Sequence, residues 1–370
     1  MMNKKIKKII IIIVLIFLII VLLVGGYFGY VMIQYFRYDD IVNLVIDKNS
    51  ESITISLNRE YSISTYNIGF GAYNHDYSFF MDEGYMKDGT YVSGKYATAR
   101  SKNVVTNNTI GAIDIIKSLN TDFMFFQEVD KKATRSYNVN QYEMITKAFN
   151  DYSSVYASNF HSSYLLYPFN DPIGKTEAGI VTLSKYKVNS AVRYKLPIDE
   201  SFPNKFFDLD RCLMITRYNV SEGRELVLIN VHLSAYDEGG VYRKLQLELL
   251  NNILKEEREK GNYVIAGGDF NHDIANSSSA FVTEQRIPLW VYALNDENLA
   301  YGYSFAAAKD IPTCRSTDMP YTKGVNYSVV IDGFITSDNI MVTNVTNISQ
   351  GEELFLYSDH NPVKLSFVLL

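Results

Sequence analysis

The chain has 370 residues, 47% of them hydrophobic and 21% charged, which excludes a disordered protein and leaves room for one large domain with its own core. Its 35 basic and 41 acidic side chains give a net charge of −6, and four of the basic ones fall in the first eight residues. That balance excludes a protein that coats nucleic acid through bulk electrostatics, while a small substrate or a locally basic groove remains allowed.

The first residues form a separate object. Lys4, Lys5, Lys7 and Lys8 precede an unbroken apolar run from Ile9 to Val24, and no charge follows until Arg37. A bilayer-spanning helix needs roughly 20 such residues. The pattern predicts one transmembrane helix within residues 1–33, with the lysines cytoplasmic and the large domain on the outer face. A cleaved signal peptide is the competing reading, but the run is long and Gly25-Gly26-Tyr27-Phe28-Gly29 offers no A-x-A-like site. A buried core helix would show a polar face, and this run has none.

Residues 34–59 read as a stalk or lead-in, with a first strand at Ile53-Thr54-Ile55-Ser56-Leu57. The large domain is expected over 60–370. Tyr61 to Asn67 alternates with the period of a strand, and the Gly-, Tyr- and Asp-rich stretch from Gly69 to about Gly94 reads as a long loop. Val104, Ile110, Ile113, Ile116 and Leu119 predict a helix over 103–119. Asp122 to Phe126 is a short buried strand, and further strands are predicted near 178–184, 211–218 and 225–233. A helix from Val241 to Lys260 precedes the strand Tyr263–Ala266, and the last strands fall near 328–336, 340–348 and 362–369. Strands outnumber helices and the helices lie between strand groups, which predicts a layered α/β fold with sheets inside and helices outside. Cys212 and Cys314 match no zinc spacing; an exported domain could pair them or leave them free.

Polar residues without an obvious structural task recur at strand ends: Asn67, Gln127-Glu128, His232, Asp269 with Asn271, Asp332 and Asp359-His360. Each alone has a plain reading. Glu128 could cap a turn, Asp269-Phe270-Asn271 could be an Asx turn, and His232 could be a satisfied core histidine. Together they are the parts that phosphodiester hydrolysis requires. A hard cation takes oxygen ligands, which Glu128 and the amide oxygen of Asn67 could supply. A histidine near neutral pH can take a proton from water, and Asp332 could orient His360 for it. His232 and Asn271 could steady the transition-state charge, and Asp269 could position the nucleophile or the leaving oxygen. No G-x-S-x-G nucleophile motif is present.

In order along the chain, Tyr66-Asn67-Ile68, Gln127-Glu128-Val129, Asn230-Val231-His232-Leu233, Gly267-Gly268-Asp269-Phe270-Asn271, Ile331-Asp332 and Ser358-Asp359-His360-Asn361-Pro362-Val363 resemble the motifs of the endonuclease/exonuclease/phosphatase superfamily. DNase I-like nucleases, abasic-site endonucleases, inositol polyphosphate phosphatases and neutral sphingomyelinases belong to it. The resemblance covers residues 60 to 370, and G-D-F-N and S-D-H-x-P are its specific elements. It implies a four-layer αββα sandwich with the site at one end of the two sheets. It implies Mg²⁺ or Mn²⁺ near Asn67 and Glu128, with Asp359 close enough to hold a metal or a water. It implies His360 with Asp332 as the base pair, and Asp269 with Asn271 at the scissile phosphate. His232 resembles the second histidine of the DNase I-like and sphingomyelinase-like branches, and Arg211 resembles an arginine that contacts phosphate in some members. His75, His161 and His272 are set aside.

Three functions compete on this reading. One is an outward-facing nuclease or phosphodiesterase held at the surface by the helix. The second keeps the fold but takes a phospholipid headgroup or a small phosphoester, as a sphingomyelinase-like hydrolase would. The third is a non-catalytic surface-binding module, which would be expected to have lost the histidines or the metal carboxylate. The bilayer is the one partner besides substrate, and no obligate protein partner is evident.

Overall fold

A computed structural model describes residues 4–51, 54–206, 209–235, 240–349 and 353–370. In chain order the helices are α1 (Lys4–Gln34), α2 (Lys102–Leu119), α3 (Gln141–Ala148) and α4 (Val241–Glu259). The first strands are β1 (Ile41–Asn43), β2 (Ile46–Lys48), β3 (Glu60–Asn67), β4 (Glu83–Tyr85), β5 (Tyr91–Ser93), β6 (Phe123–Ala133), β7 (Ser153–Leu165), β8 (Gly174–Ser184) and β9 (Ser190–Lys195). After them come β10 (Cys212–Asn219), β11 (Glu225–His232), β12 (Tyr263–Asp269), β13 (Tyr303–Ala306), β14 (Cys314–Arg315), β15 (Ser328–Val329), β16 (Asp332–Ser337), β17 (Ile340–Asn347) and β18 (Val363–Leu369).

Two seven-stranded sheets result, ordered β1-β9-β10-β11-β12-β16-β13 and β17-β18-β3-β6-β8-β7-β2. Period-two alternation decides how they stack. On β3, Tyr61 and Ile63 join Phe123, Phe125, Leu228 and Ile265 in the core between the sheets. Tyr66, of opposite parity, packs outward with Ile113 and Ile116 of α2 and Ile145 of α3. On the other sheet, Val227, Val264 and Ala266 face Leu250, Ile253 and Leu254 of α4. The layers are therefore helix, sheet, sheet, helix, the αββα sandwich expected from the sequence.

Each sheet holds one parallel pair joined by a helix: β3 and β6 through α2, and β11 and β12 through α4. The ends of α2 explain why it begins and stops where it does. Ser101 caps the first turn by accepting from the Val104 amide, and Asn120 takes the left-handed conformation at φ +47° just past the last turn.

The segment expected as a stalk is built into the sandwich. β1 pairs with β9 at the edge of one sheet, and β2 pairs with β7 at the edge of the other. The expected strand at Ile53–Leu57 is reduced to a single bridge between Ile55 and Val220, and Ile53 lies outside the described residues. The expected long loop over 69–94 carries a small hairpin, β4 with β5. α1 is long and apolar enough to cross a membrane, and its residues from Ile6 to Val24 are exposed.

A partly buried ion pair ties α4 to its sheet. The guanidinium of Arg217 on β10 donates to Glu257 at 2.6 and 3.0 Å, and Asn262 donates to the same carboxylate at 2.7 Å. Burial alone would raise the Glu257 carboxyl, but hydrogen bonds from Arg217, Lys260 and Asn262 outweigh it and bring it down to about 2. A depressed carboxyl stabilises the fold above its unfolded value and loses that contribution as pH falls toward its folded value. Glu257→Gln should therefore cost about 2–3 kcal/mol near pH 7 in urea unfolding of the full chain in mild detergent. The difference from wild type should shrink as pH falls from 4.5 toward 2; a difference independent of pH would contradict this assignment.

Candidate active site

The core rows that separate the two sheets change character at one end. Ile63 is followed on its face of β3 by Thr65 and then Asn67. Leu228 is followed on β11 by Asn230 and His232, and Ile265 on β12 by Gly267 and Asp269. On the antiparallel neighbour β16, Asp332 opposes Asp269 and Phe334 opposes Gly267. His232 and Asp269 thus sit at the C-terminal ends of a parallel pair, the end where α/β sheets hold their ligands, and Asp332 joins them from the N-terminal start of β16.

A layer of neutral polar groups lies between apolar core and ionisable end. Gln127 bonds Thr65 at 3.2 Å through its oxygen, and its Nε2 donates to Asn230 Oδ1 at 2.8 Å. Asn230 in turn donates to the Val181 carbonyl at 2.9 Å. These bonds join the two sheets behind the site and satisfy amides that burial would otherwise penalise.

Local backbone features aim the carboxylates. Glu128 lies within a shift in the pairing of β6 with β8, between Phe126 and Val129, and has φ +55°, a left-handed conformation uncommon for its type. Asn271 has φ +51°, and its backbone N–H donates to Asp269 Oδ1 at 2.8 Å. Gly268, at φ +139°, is required by its neighbours, since a Cβ there would stand 2.0 Å from the Val231 carbonyl oxygen.

Eight of the nine residues singled out in the sequence meet at this end. His360 Nδ1 is 2.8 Å from Asp332 Oδ2, so only its Nε2 faces the centre. Asp269 Oδ2 lies between His232 Nε2 at 3.6 Å and His360 Nε2 at 3.7 Å. Glu128 Oε1 is 3.8 Å from His232 Nε2. Asp359 and His360 are held by Ser358, whose hydroxyl donates to the Asn67 carbonyl at 2.8 Å and accepts from the His360 amide at 3.2 Å. The ninth, Arg211, is buried and lines the same cavity, of about 1220 Å³, as His232, Asp269 and His360.

Two amide side chains at the site are engaged by hydrogen bonds within the protein. Asn67 was expected to offer its amide oxygen to a cation. That oxygen accepts from the Gly69 N–H at 3.0 Å, and its NH₂ donates to Glu128 at 3.2 Å and Asp269 at 3.0 Å. Its NH₂ thus bridges two carboxylates, while its oxygen keeps a second lone pair for the cation expected there. The Asn271 amide donates to the Leu233 carbonyl at 2.8 Å. Both cysteines are buried and free.

Some contributors were not legible in the sequence. Asn159 of β7 places its amide 3.4 Å from His232 Nδ1. Arg135, paired with Asp130 at 2.9 Å, lies over the Phe70 ring, and Arg315 donates to the carbonyls of Asn74 and Tyr77. Both line the cavity, and neither stands in a recognisable motif.

Electrostatics set the two histidines apart. Burial holds His232 well below its usual value, with Arg211 and His360 adding to the effect. Burial would lower His360 too, but Asp332, with Cys314, Asp359 and Asp269, outweighs it and holds His360 well above. Burial pushes Asp269 up to about 6 and Asp359 up to about 7; His360 opposes both, while Asp332 adds to the first and Glu128 to the second. Glu128 is raised by burial, against Arg135 and His360.

This set of donors fits a hard divalent cation. The oxygens are carboxylates raised by burial, and Asp332 Oδ1 is buried with no hydrogen-bond partner. Asp269, Asp332 and His360 have ligand atoms within 4.8 Å of one another and could hold an ion together.

Such a sandwich, with paired histidine and aspartate at the strand ends, defines a class of phosphoester-cleaving folds. The chain belongs to the endonuclease/exonuclease/phosphatase family, whose model matches residues 65–360. Its fold is similar to TDP2 from D. rerio in complex with a single-strand DNA product (15% identity, 84% of this chain and 99% of that one, TM-score 0.52). It is also similar to the human Nocturnin catalytic domain with a bound sulfate anion (14%, 90% and 97%, 0.51). A third likeness is the endonuclease/exonuclease/phosphatase protein of Beutenbergia cavernae (15%, 84% and 72%, 0.53). No curated protein sequence matches the chain.

A carboxyl raised on folding destabilises the fold as pH rises from its ordinary value through its folded one. Without metal, Asp359→Asn should therefore raise stability by something on the order of 2 kcal/mol above pH 7, and the gain should vanish below about pH 4. Mg²⁺ should raise the thermal midpoint of wild type and move that of the variant much less. A variant less stable than wild type in EDTA at pH 8 would contradict the reading.

Proposed function

We propose that this chain is a divalent-metal-dependent phosphodiesterase held at a membrane by α1. The observation that carries the reading is the convergence of Glu128, Asp269, Asp332, Asp359, His232 and His360 at one end of the sandwich. The family supports a phosphoester hydrolase, and the same donor set supports Mg²⁺ or Mn²⁺.

Glu128 and Asp359 would hold the cation, with Asn67 fixing Glu128 by its amide hydrogen. Bound there, the cation would supply the positive charge that neutralises phosphate oxygens. The remaining steps belong to the chain. Asp332 fixes His360 through Nδ1 and keeps it protonated, so Nε2–H donates to a phosphoryl oxygen and steadies its growing charge. This moves the expected base role away from His360. Asp269, poised at about 6 between the two histidines, takes the proton of the attacking water at Oδ2. Neutral His232, with Asn159 behind it, orients that water or a second phosphate oxygen. Arg211 faces the phosphate from the cavity wall.

The sulfate on Nocturnin and the DNA product on TDP2 are phosphate-like and phosphodiester ligands on similar folds, which supports the same chemistry here. A non-catalytic module is disfavoured because both histidines and all four carboxylates are in place. The lysines Lys4 to Lys8 would keep the N-terminus cytoplasmic and put the domain outside.

The test is hydrolysis of bis(p-nitrophenyl) phosphate by the full chain in detergent with Mg²⁺ or Mn²⁺. Asp269→Asn and His360→Ala should each lower kcat by roughly 100-fold or more with a small change in KM. EDTA should abolish turnover. Full activity in excess chelator, or near-normal rates in His360→Ala, would overturn the proposal.

A further inference from the structure

α1 does more than tether the domain. Leu23, Val24 and Tyr27 of this helix form part of the wall of the cavity that holds Arg211, His232, Asp269 and His360. A span of roughly 20 residues beginning at Ile9 ends near Phe28. By that count Leu23 and Val24 lie in the last turn and a half of the hydrocarbon span, and Tyr27 lies where α1 reaches the lipid headgroups.

The domain is fastened to the helix at that level. The Tyr27 hydroxyl donates to the Tyr164 carbonyl at 3.1 Å, and the Tyr30 hydroxyl accepts from the Tyr164 amide at 3.2 Å. Phe28 stacks on Phe202 with ring centroids 6.2 Å apart. Beside these contacts the domain exposes large apolar groups: Phe169 is 83% exposed, Phe202 67% and Tyr167 64%. Isolated exposed apolar side chains are ordinary, but a group of large exposed apolar rings beside a membrane helix is a patch suited to insertion at a bilayer surface. Just inside, Phe80, Leu165 and Ile173 continue the apolar surface into the cavity toward the polar floor.

Resting on the phosphodiesterase reading, we infer that the substrate is a phospholipid of the leaflet into which the C-terminal end of α1 emerges. The aromatic rim seats in that leaflet, and the cavity takes the headgroup phosphodiester from the side while the acyl chains stay against apolar walls. Water adds to phosphorus and one P–O ester bond breaks. The departing alkoxide receives the proton that the water gave up, leaving a phosphomonoester and an alcohol.

A nucleic acid would also stack on aromatic rings, but its backbone needs a basic track. The cavity's Arg135 is bound to Asp130 and its Arg315 to backbone carbonyls, and the chain's charge is −6. These features favour a single headgroup phosphate over a polyanion.

The experiment uses the full chain reconstituted in vesicles of phosphatidylcholine, phosphatidylglycerol and sphingomyelin with Mg²⁺. Lipid cleavage is read by mass spectrometry, beside bis(p-nitrophenyl) phosphate and a single-strand DNA oligonucleotide. Wild type should cleave at least one of these lipids, and Phe169→Asp/Phe202→Asp should lower the ratio of lipid to soluble-diester turnover by roughly tenfold or more. In a Phe169→Trp variant, brominated lipids should quench fluorescence beyond the quenching of Trp290 in wild type. An unchanged ratio, or no added quenching, overturns the inference. Turnover of the soluble diester or of DNA without lipid turnover also overturns it and leaves the phosphodiesterase reading standing. No turnover of any substrate overturns both.

Discussion

Three buried carboxylates, the partly exposed Glu128 and two buried histidines at one end of a sandwich are an electrostatic problem, and much of the surrounding structure follows from it. Glu128, Asp269 and Asp359 are all pushed above their usual values by burial, so the fold spends stability to keep them together. What holds them is a two-tier support. The Thr65 hydroxyl and the amides of Gln127 and Asn230 lock the sheets behind the site, and Asn67, Ser358 and Asn159 fix the charged residues one by one. Strain at Glu128 and Asn271, and a Gly268 that tolerates no Cβ, belong to the same cost.

Two parallel β-helix-β units bring these groups together. One delivers Asn67 and Glu128, the other His232 and Asp269, and the facing arrangement of the sheets sets the pairs a few ångströms apart. The antiparallel β16 and the segment before β18 then add Asp332 and His360, already bonded to each other. No single element carries a working set; the chemistry exists only in the assembled sandwich.

Much of this was legible in the sequence because strand ends betray themselves. His232 and Asp269 each close a strand whose earlier residues are mostly apolar, so a polar letter there stands out; Asn67 closes a strand of alternating residues. α2 and α4 showed as helical spacing for the same reason. β7 was missed because its run Ser153-Ser154-Val155-Tyr156-Ala157-Ser158-Asn159 is polar in letters yet largely buried, its backbone paired with β8, and Asn159 was lost with it. α3 has only eight residues, too few to display a period. β1 and β2 are three residues each and depend on partners far along the chain, which made an edge-to-edge lead-in look like a stalk. The bonds from the Asn67 NH₂ to Glu128 and Asp269 could not be read beforehand, because a letter does not say which end of an amide points where. Arg135 and Arg315 are positioned by folding alone.

The central claim is that the carboxylates gather to hold a cation at Glu128 and Asp359, leaving Asp269, Asp332 and His360 for the substrate. Anomalous X-ray scattering from crystals of the full chain grown with Mn²⁺ tests it most directly. The account predicts an Mn²⁺ peak within ligand distance of the Glu128 and Asp359 oxygens. A peak bound instead by Asp269, Asp332 and His360, with none at Glu128, would contradict it.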